Sequence, residues 1–139
     1  MHERILIIED ERFIAQALAL RLKTAGYEVH CAHDGTSGIA AVAELNPTLV
    51  LLDIRMPDMD GFEVYRHLKE RPEFGSTPVI FLSANVQESA RQAALAAGAA
   101  AFLAKPYEAK DILIAVEGVL DRCRKRVDRV VKEPSYASE

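Results

Sequence analysis

Three acidic side chains and one lysine stand at the ends of apolar runs, the one arrangement in this chain that points to chemistry. The apolar run Leu49 to Leu52 leads into Asp53, and Pro57 and Gly61 break the chain soon after. Arg4 to Ile8 runs into Glu9 and Asp10, Pro78 to Leu82 ends at Ser83, and Ala100 to Leu103 reaches Lys105. Short apolar runs bounded by turn signals read as strands buried on both faces, as in a parallel sheet. In open α/β sheets ligands bind at the carboxyl ends of the strands, next to the reversal of strand order. If the first, third, fourth and fifth strands share that edge, three carboxylates meet in one crevice. Two like charges about 4 Å apart repel by roughly 4 kcal/mol at an effective dielectric near 20, and one lysine cannot neutralise three acids. A divalent cation is the natural complement. An all-oxygen donor set with no histidine or cysteine beside it in the sequence suits Mg²⁺ better than Zn²⁺.

The intervening segments carry the helices. Residues 11–25 show helical apolar spacing closed by Gly26, and Gly35 to Leu45 reads as a second helix stopped by Asn46-Pro47. Phe62 to Lys69 follows with Asp60 as its N-cap, Glu88 to Ala97 is an alanine-rich fourth helix, and a last one starts near Glu108. Tyr27 to Ala32 alternates, placing Val29 and Cys31 on one face of a half-exposed strand. Five strands alternating with five helices predict right-handed crossovers and a doubly wound parallel sheet.

Composition narrows the function classes. The 139 residues allow one domain with a real core, half of them are apolar, and the net charge of −4 speaks against a nucleic-acid surface. No stretch approaches the roughly 18 apolar residues of a membrane span, and the start lacks a signal-peptide layout. Cys31 and Cys123 have neither metal-ligand nor disulfide-scaffold spacing. A reducing cytoplasm is the expected compartment.

Four segments in order carry a resemblance. They are Ile5-Leu6-Ile7-Ile8-Glu9-Asp10-Glu11, the stretch from Leu49 through Asp53-Ile54-Arg55-Met56-Pro57 to Gly61, Pro78-Val79-Ile80-Phe81-Leu82-Ser83-Ala84, and Ala97-Gly98 through Phe102 to Lys105-Pro106. Over roughly residues 3–120 the chain resembles the receiver domain of two-component response regulators. The resemblance implies a flavodoxin-like five-stranded sheet of order 2-1-3-4-5, with residues 1–120 as the receiver and 121–139 as a helical extension and flexible tail. It implies that Asp53 accepts a phosphoryl group from a phosphohistidine on a sensor histidine kinase or phosphotransfer protein. It further implies Mg²⁺ held by Asp10, Asp53 and the backbone carbonyl of Arg55, with Glu9 contributing. Ser83 and Lys105 would contact phosphoryl oxygens, and Phe102 falls on the family's aromatic switch position, without the hydroxyl of a tyrosine. Pro106 falls where the family's peptide is commonly cis, and Arg55 and Asn85 where side chains tune the lifetime of the phosphorylated state. Catalysis would be limited to self-phosphorylation and slow autodephosphorylation.

Competing readings of the same residues are plainer. Glu9 and Asp10 could cap the first helix and complement its dipole. Asp58 and Asp60 read as loop solvation and helix capping, and His2, His30, His33 and His67 as surface residues. An interaction module of the same fold that never needs phosphate is the alternative function. A haloacid-dehalogenase-type phosphatase would place an acid two residues after its nucleophile, where this chain has Arg55. After Leu120, the spacing of Cys123, Val127 and Val130 continues the three-four pattern of Leu113, Val116 and Leu120. That fits a basic helical tail, a helix pairing two receivers on phosphorylation, or a lead to an output domain. Nineteen residues cannot hold a DNA-binding helix-turn-helix, so the expected downstream target is a protein.

Overall fold

The computed structural model describes the backbone of residues 3–84 and 87–132 and the side chains of residues 3–84 and 87–126. The strands form where apolar residues run uninterrupted. They are β1 (Arg4–Ile8), β2 (Glu28–Ala32), β3 (Leu49–Asp53), β4 (Val79–Ser83) and β5 (Ala101–Ala104). The helices between and after them are α1 (Arg12–Thr24), α2 (Gly35–Leu45), α3 (Gly61–Lys69), α4 (Glu88–Ala96) and α5 (Ala109–Lys132). All strand pairs are parallel and the order is β2-β1-β3-β4-β5, the doubly wound flavodoxin-like arrangement.

Alternation along each strand divides the apolar residues between two cores. Ile5 and Ile7 of β1, Leu49 and Leu51 of β3, and Ile80 and Leu82 of β4 pack against Leu18 and Leu22 of α1 and Ile112 and Val116 of α5. Leu6, Ile8, Val50, Leu52, Val79 and Phe81 face the other way, onto Val42, Val64, Tyr65, Leu68 and Ala94 of α2, α3 and α4. Every residue of β3 and β4 is buried, which is why these strands read as continuous apolar runs. Each such Leu, Ile or Val contributes about 1.5–3 kcal/mol on leaving water. The edge strand β2 is different: Val29 is buried but Cys31, on the same face, is exposed, with its thiol reaching only the carbonyl of Ala15.

The predicted boundaries shift by one residue at β4 and β5. Ser83 pairs with Ala104, and the Lys105 amide donates to the Ser83 carbonyl at 2.7 Å, so the ladder runs up to the polar residues rather than stopping short of them. Gly26 follows α1 at φ +105°, a conformation that L side chains rarely adopt. Asp60 caps α3 as expected, accepting the Glu63 amide at 2.9 Å. α5 continues as a helix to Lys132. The side chains of Val127 and Val130 lie outside the described residues, as do Asn85 and His2.

Candidate functional site

The chain leaves β1 for β2 on one side and reaches β3 on the other, so the carboxyl ends of β1 and β3 flank the point where the strand order reverses. Glu9 follows β1 and is fully buried; Asp53 closes β3 at 4% exposure; Asp10 is half-buried. One carboxylate oxygen from each of the three lies within 4.8 Å of the others. Glu9 Oε2 accepts the amide of Glu11, the residue just before α1, at 3.3 Å, so part of the capping reading holds for Glu9. The N-cap residue is Glu11, and it makes no side-chain capping bond.

Lys105 reaches into this cluster from the end of β5. Its Nζ donates to Glu9 Oε1 at 2.6 Å and lies 3.4 Å from Asp53 Oδ1. The ammonium therefore bridges the two deepest acids. Burial pushes the Glu9 carboxyl up to about 7; the Lys105 hydrogen bond opposes that rise, and the charge of Asp53 adds to it. Asp53 is also raised, first by burial and further by the charge of Asp10, while Lys105 pulls it down. For Lys105 burial acts downward, but the Glu9 hydrogen bond and the two carboxylate charges hold its pKa above the ordinary value. The Lys105-Pro106 peptide is cis.

Ser83 is fully buried at the end of β4, across the ladder from Ala104. Arg55 is exposed two residues beyond Asp53, in a loop closed by the Gly61 amide donating to the Ile54 carbonyl at 2.7 Å. A Cβ on Gly61 would stand 2.6 Å from the Asp53 carbonyl oxygen and 2.8 Å from Ile54 Cα, so only glycine lets α3 begin this close to the end of β3. Phe102 is not part of the carboxylate cluster. It is half-buried opposite Phe81, on the α2–α4 side of the sheet, two register steps back from the Ser83–Ala104 pair.

Three neighbours of the site escape a reading by residue type. His33, expected on the surface, is half-buried, and its Nδ1 donates to the Glu9 carbonyl at 3.0 Å. Asp58 caps a helix, but it is α2 rather than the nearer α3: its carboxylate accepts from the Gly35 amide and from the amide and hydroxyl of Thr36 at 2.9–3.0 Å. Tyr107 packs beside Lys105, and its buried hydroxyl has no hydrogen-bond partner among the described residues. Only His33 had a detectable sequence signal, its closeness to a strand end.

The donor chemistry fits a hard divalent cation: three carboxylates converge, and the one histidine nearby spends its Nδ1 on a carbonyl. A family model for the response regulator receiver domain matches residues 5–117. The chain belongs to the response regulator receiver family. Receivers of known structure share the fold. A CheY-like receiver domain protein from Methanospirillum hungatei is 31% identical with a TM-score of 0.82, covering 91% of this chain and 99% of its own. The chemotaxis response regulator CheY4 of Vibrio cholerae is 28% identical with a TM-score of 0.81, over 86% of this chain and 99% of that one. The non-phosphorylated HemR receiver domain of Leptospira biflexa is 31% identical with a TM-score of 0.74, over 85% and 94%. This receiver is therefore the receiver domain of a two-component response regulator, and such domains work with histidine kinases or phosphotransfer proteins and with output domains. Among its described residues no helix is long and apolar enough to cross a membrane.

Proposed function

We propose that this receiver takes a phosphoryl group onto Asp53 from a phosphohistidine of a partner kinase or phosphotransfer protein, in the cytoplasm, and changes its protein contacts in response. The observation that carries the reading is the Asp53 carboxylate at the end of a buried strand, with the Lys105 ammonium 3.4 Å away and shared with Glu9. An Asp53 oxygen attacks phosphorus in line; the P–O bond forms as the P–N bond to the donor imidazole breaks and the electron pair returns to the ring. Lys105 can swing from Glu9 toward the transferred group and balance the charge spread over its oxygens. Ser83, at the end of the neighbouring strand, supplies a hydroxyl donor. Glu9, Asp10, Asp53 and the Arg55 backbone carbonyl would hold Mg²⁺, which when bound supplies positive charge at the phosphoryl oxygens.

The acquired charge and acceptors favour an inward position of Ser83 and its loop, and Phe102 responds by repacking against Phe81. Beside Lys105 lies an apolar apron of Ile14, Ala84, Pro106 and Tyr107, and α1 exposes Phe13 and Leu20, a surface suited to a partner helix. Residues 1–120 act as the receiver, and 121–139 extend it toward a second copy, a protein target or an output domain. Incubation with acetyl phosphate and Mg²⁺ adds one hydroxylamine-labile phosphoryl group to the intact mass, and Asp53→Asn abolishes it. No uptake by the wild-type chain refutes the reading. Solution mass measured with and without the phosphodonor tells whether modification brings two copies together.

A further inference from the structure

At the opposite end of the sheet from Asp53, a cleft of about 420 Å³ opens between the loop after α3, the turn before β5 and the outer part of α5. Its apolar floor includes Pro78, Ala99 and Ala100, and its walls carry Lys69, Arg122 and Arg126. No lining residue is acidic. The cations of α5 divide by position. Arg124 pairs with Glu3 and Lys125 with Asp121, whereas Arg122 and Arg126, on the cleft, have no ion-pair partner among the described residues. Lys69 is spent on the carbonyls of Gly75 and Thr77 at 2.9 and 2.8 Å, with no carboxylate to balance it. Burial accordingly pulls its pKa down.

Positions 122 and 126 are one helical turn apart, so the two guanidinium groups are neighbours on one face of α5. Guanidinium forks match the oxygens of phosphate and carboxylate groups and are less strongly hydrated than an ammonium. A pocket of this size with an apolar floor and a few converging polar groups has the form of a small-molecule site. We propose that the cleft is a second binding site, separate from the phosphoacceptor, for the oxyanion group of a small multivalent ligand, with Arg122 and Arg126 as its direct contacts and the Lys69 charge behind them. The proposal does not depend on phosphorylation of Asp53. Because the floor is built from the amino-terminal ends of β4 and β5, an occupant would rest on the strands whose other ends lead to Ser83 and Lys105.

The test is an amide NMR titration of the full chain with pyrophosphate and, separately, citrate, free of divalent metal and at constant ionic strength. Saturable shifts at Ser76, Ala99, Ala100 and Arg122 are expected with at least one of the two, and the stronger binder tells phosphate from carboxylate chemistry. Arg122→Ala with Arg126→Ala weakens binding by about tenfold or more. Arg124→Ala, which removes a cation already paired away from the cleft, leaves affinity within about twofold. Shifts that sodium chloride reproduces at matched ionic strength, equal binding by the double variant, or an equal loss in Arg124→Ala overturn the proposal. The substituted arginines are exposed, so an unchanged spectrum outside the cleft serves as the folding control.

Discussion

Asp53→Asn should make the metal-free protein more stable, although it removes the residue on which the function is proposed to rest. Asparagine keeps the shape and removes the charge. In the wild type one Asp53 oxygen lies within 4.8 Å of an oxygen of both Glu9 and Asp10, and each ionised pair repels by about 3.5 kcal/mol at an effective dielectric near 20. Against these stands one attraction, to Lys105 at 3.4 Å, of about 5 kcal/mol on the same scale. The repulsions together exceed it, and desolvation at 4% exposure adds to the deficit. A gain of about 2 kcal/mol is expected at pH 8 in chelator, read as a raised urea midpoint with an unchanged slope. The sign with pH follows from the raised carboxyls. Glu9 binds its proton more tightly folded than unfolded, so wild-type stability falls as pH climbs from 4.5 to about 7, and Asp53 acts in the same direction. The variant's advantage therefore shrinks toward pH 4.5. Added Mg²⁺ stabilises the wild type more than the variant, because a ligand has been lost. A variant no more stable than wild type in chelator at pH 8, or equally stabilised by Mg²⁺, refutes the electrostatic account.

Lys105→Met leaves the fully buried Glu9 without its 2.6 Å donor. It should lower stability at pH 8 by about 3 kcal/mol, recover at pH 5 as Glu9 takes a proton, and sharply slow phosphoryl uptake; urea titrations at the two pH values and the acetyl phosphate assay check this. Gly61→Ala drives a methyl into the Asp53 carbonyl and Ile54 backbone, so about 1–3 kcal/mol should be lost in urea unfolding along with phosphorylation rate. Asp58→Ala removes the acceptor for the first amides of α2, and hydrogen exchange at Gly35 and Thr36 should accelerate while β3 stays protected. Those amide bonds hold the Asp58 carboxyl well below its ordinary range, so its stabilisation is present at neutral pH and lost only in strong acid.

The strands were legible because β1, β3 and β4 are buried on both faces and hold little but apolar residues up to the polar position that ends them. Asp53, Ser83 and Lys105 could be placed for the same reason: the hydrophobic run stops where the ladder does. Less legible was what each polar group does once folded. Lys105 spends its shortest hydrogen bond on Glu9 rather than on Asp53, a pairing across 96 positions that no local pattern encodes. Asp58 stands three residues before the start of α3 yet caps a helix whose first residue is 23 positions upstream, because the loop after β3 folds over the N-terminus of α2. Alternation reads Val29 and Cys31 onto one face of a half-exposed strand but does not tell how deep each lies: Val29 is buried and Cys31 is exposed.

The bond between Lys105 and Glu9 also fixes when, during synthesis, the acidic crevice acquires its balancing charge. A ribosome that has released only the first hundred residues has delivered all three acids but neither β5 nor the ammonium that joins two of them. The segment that completes the sheet is the segment that balances the buried acids, so a chain stopped before β5 lacks the charge that lies between Glu9 and Asp53. The charge balance of the crevice thereby waits on the last strand of the sheet.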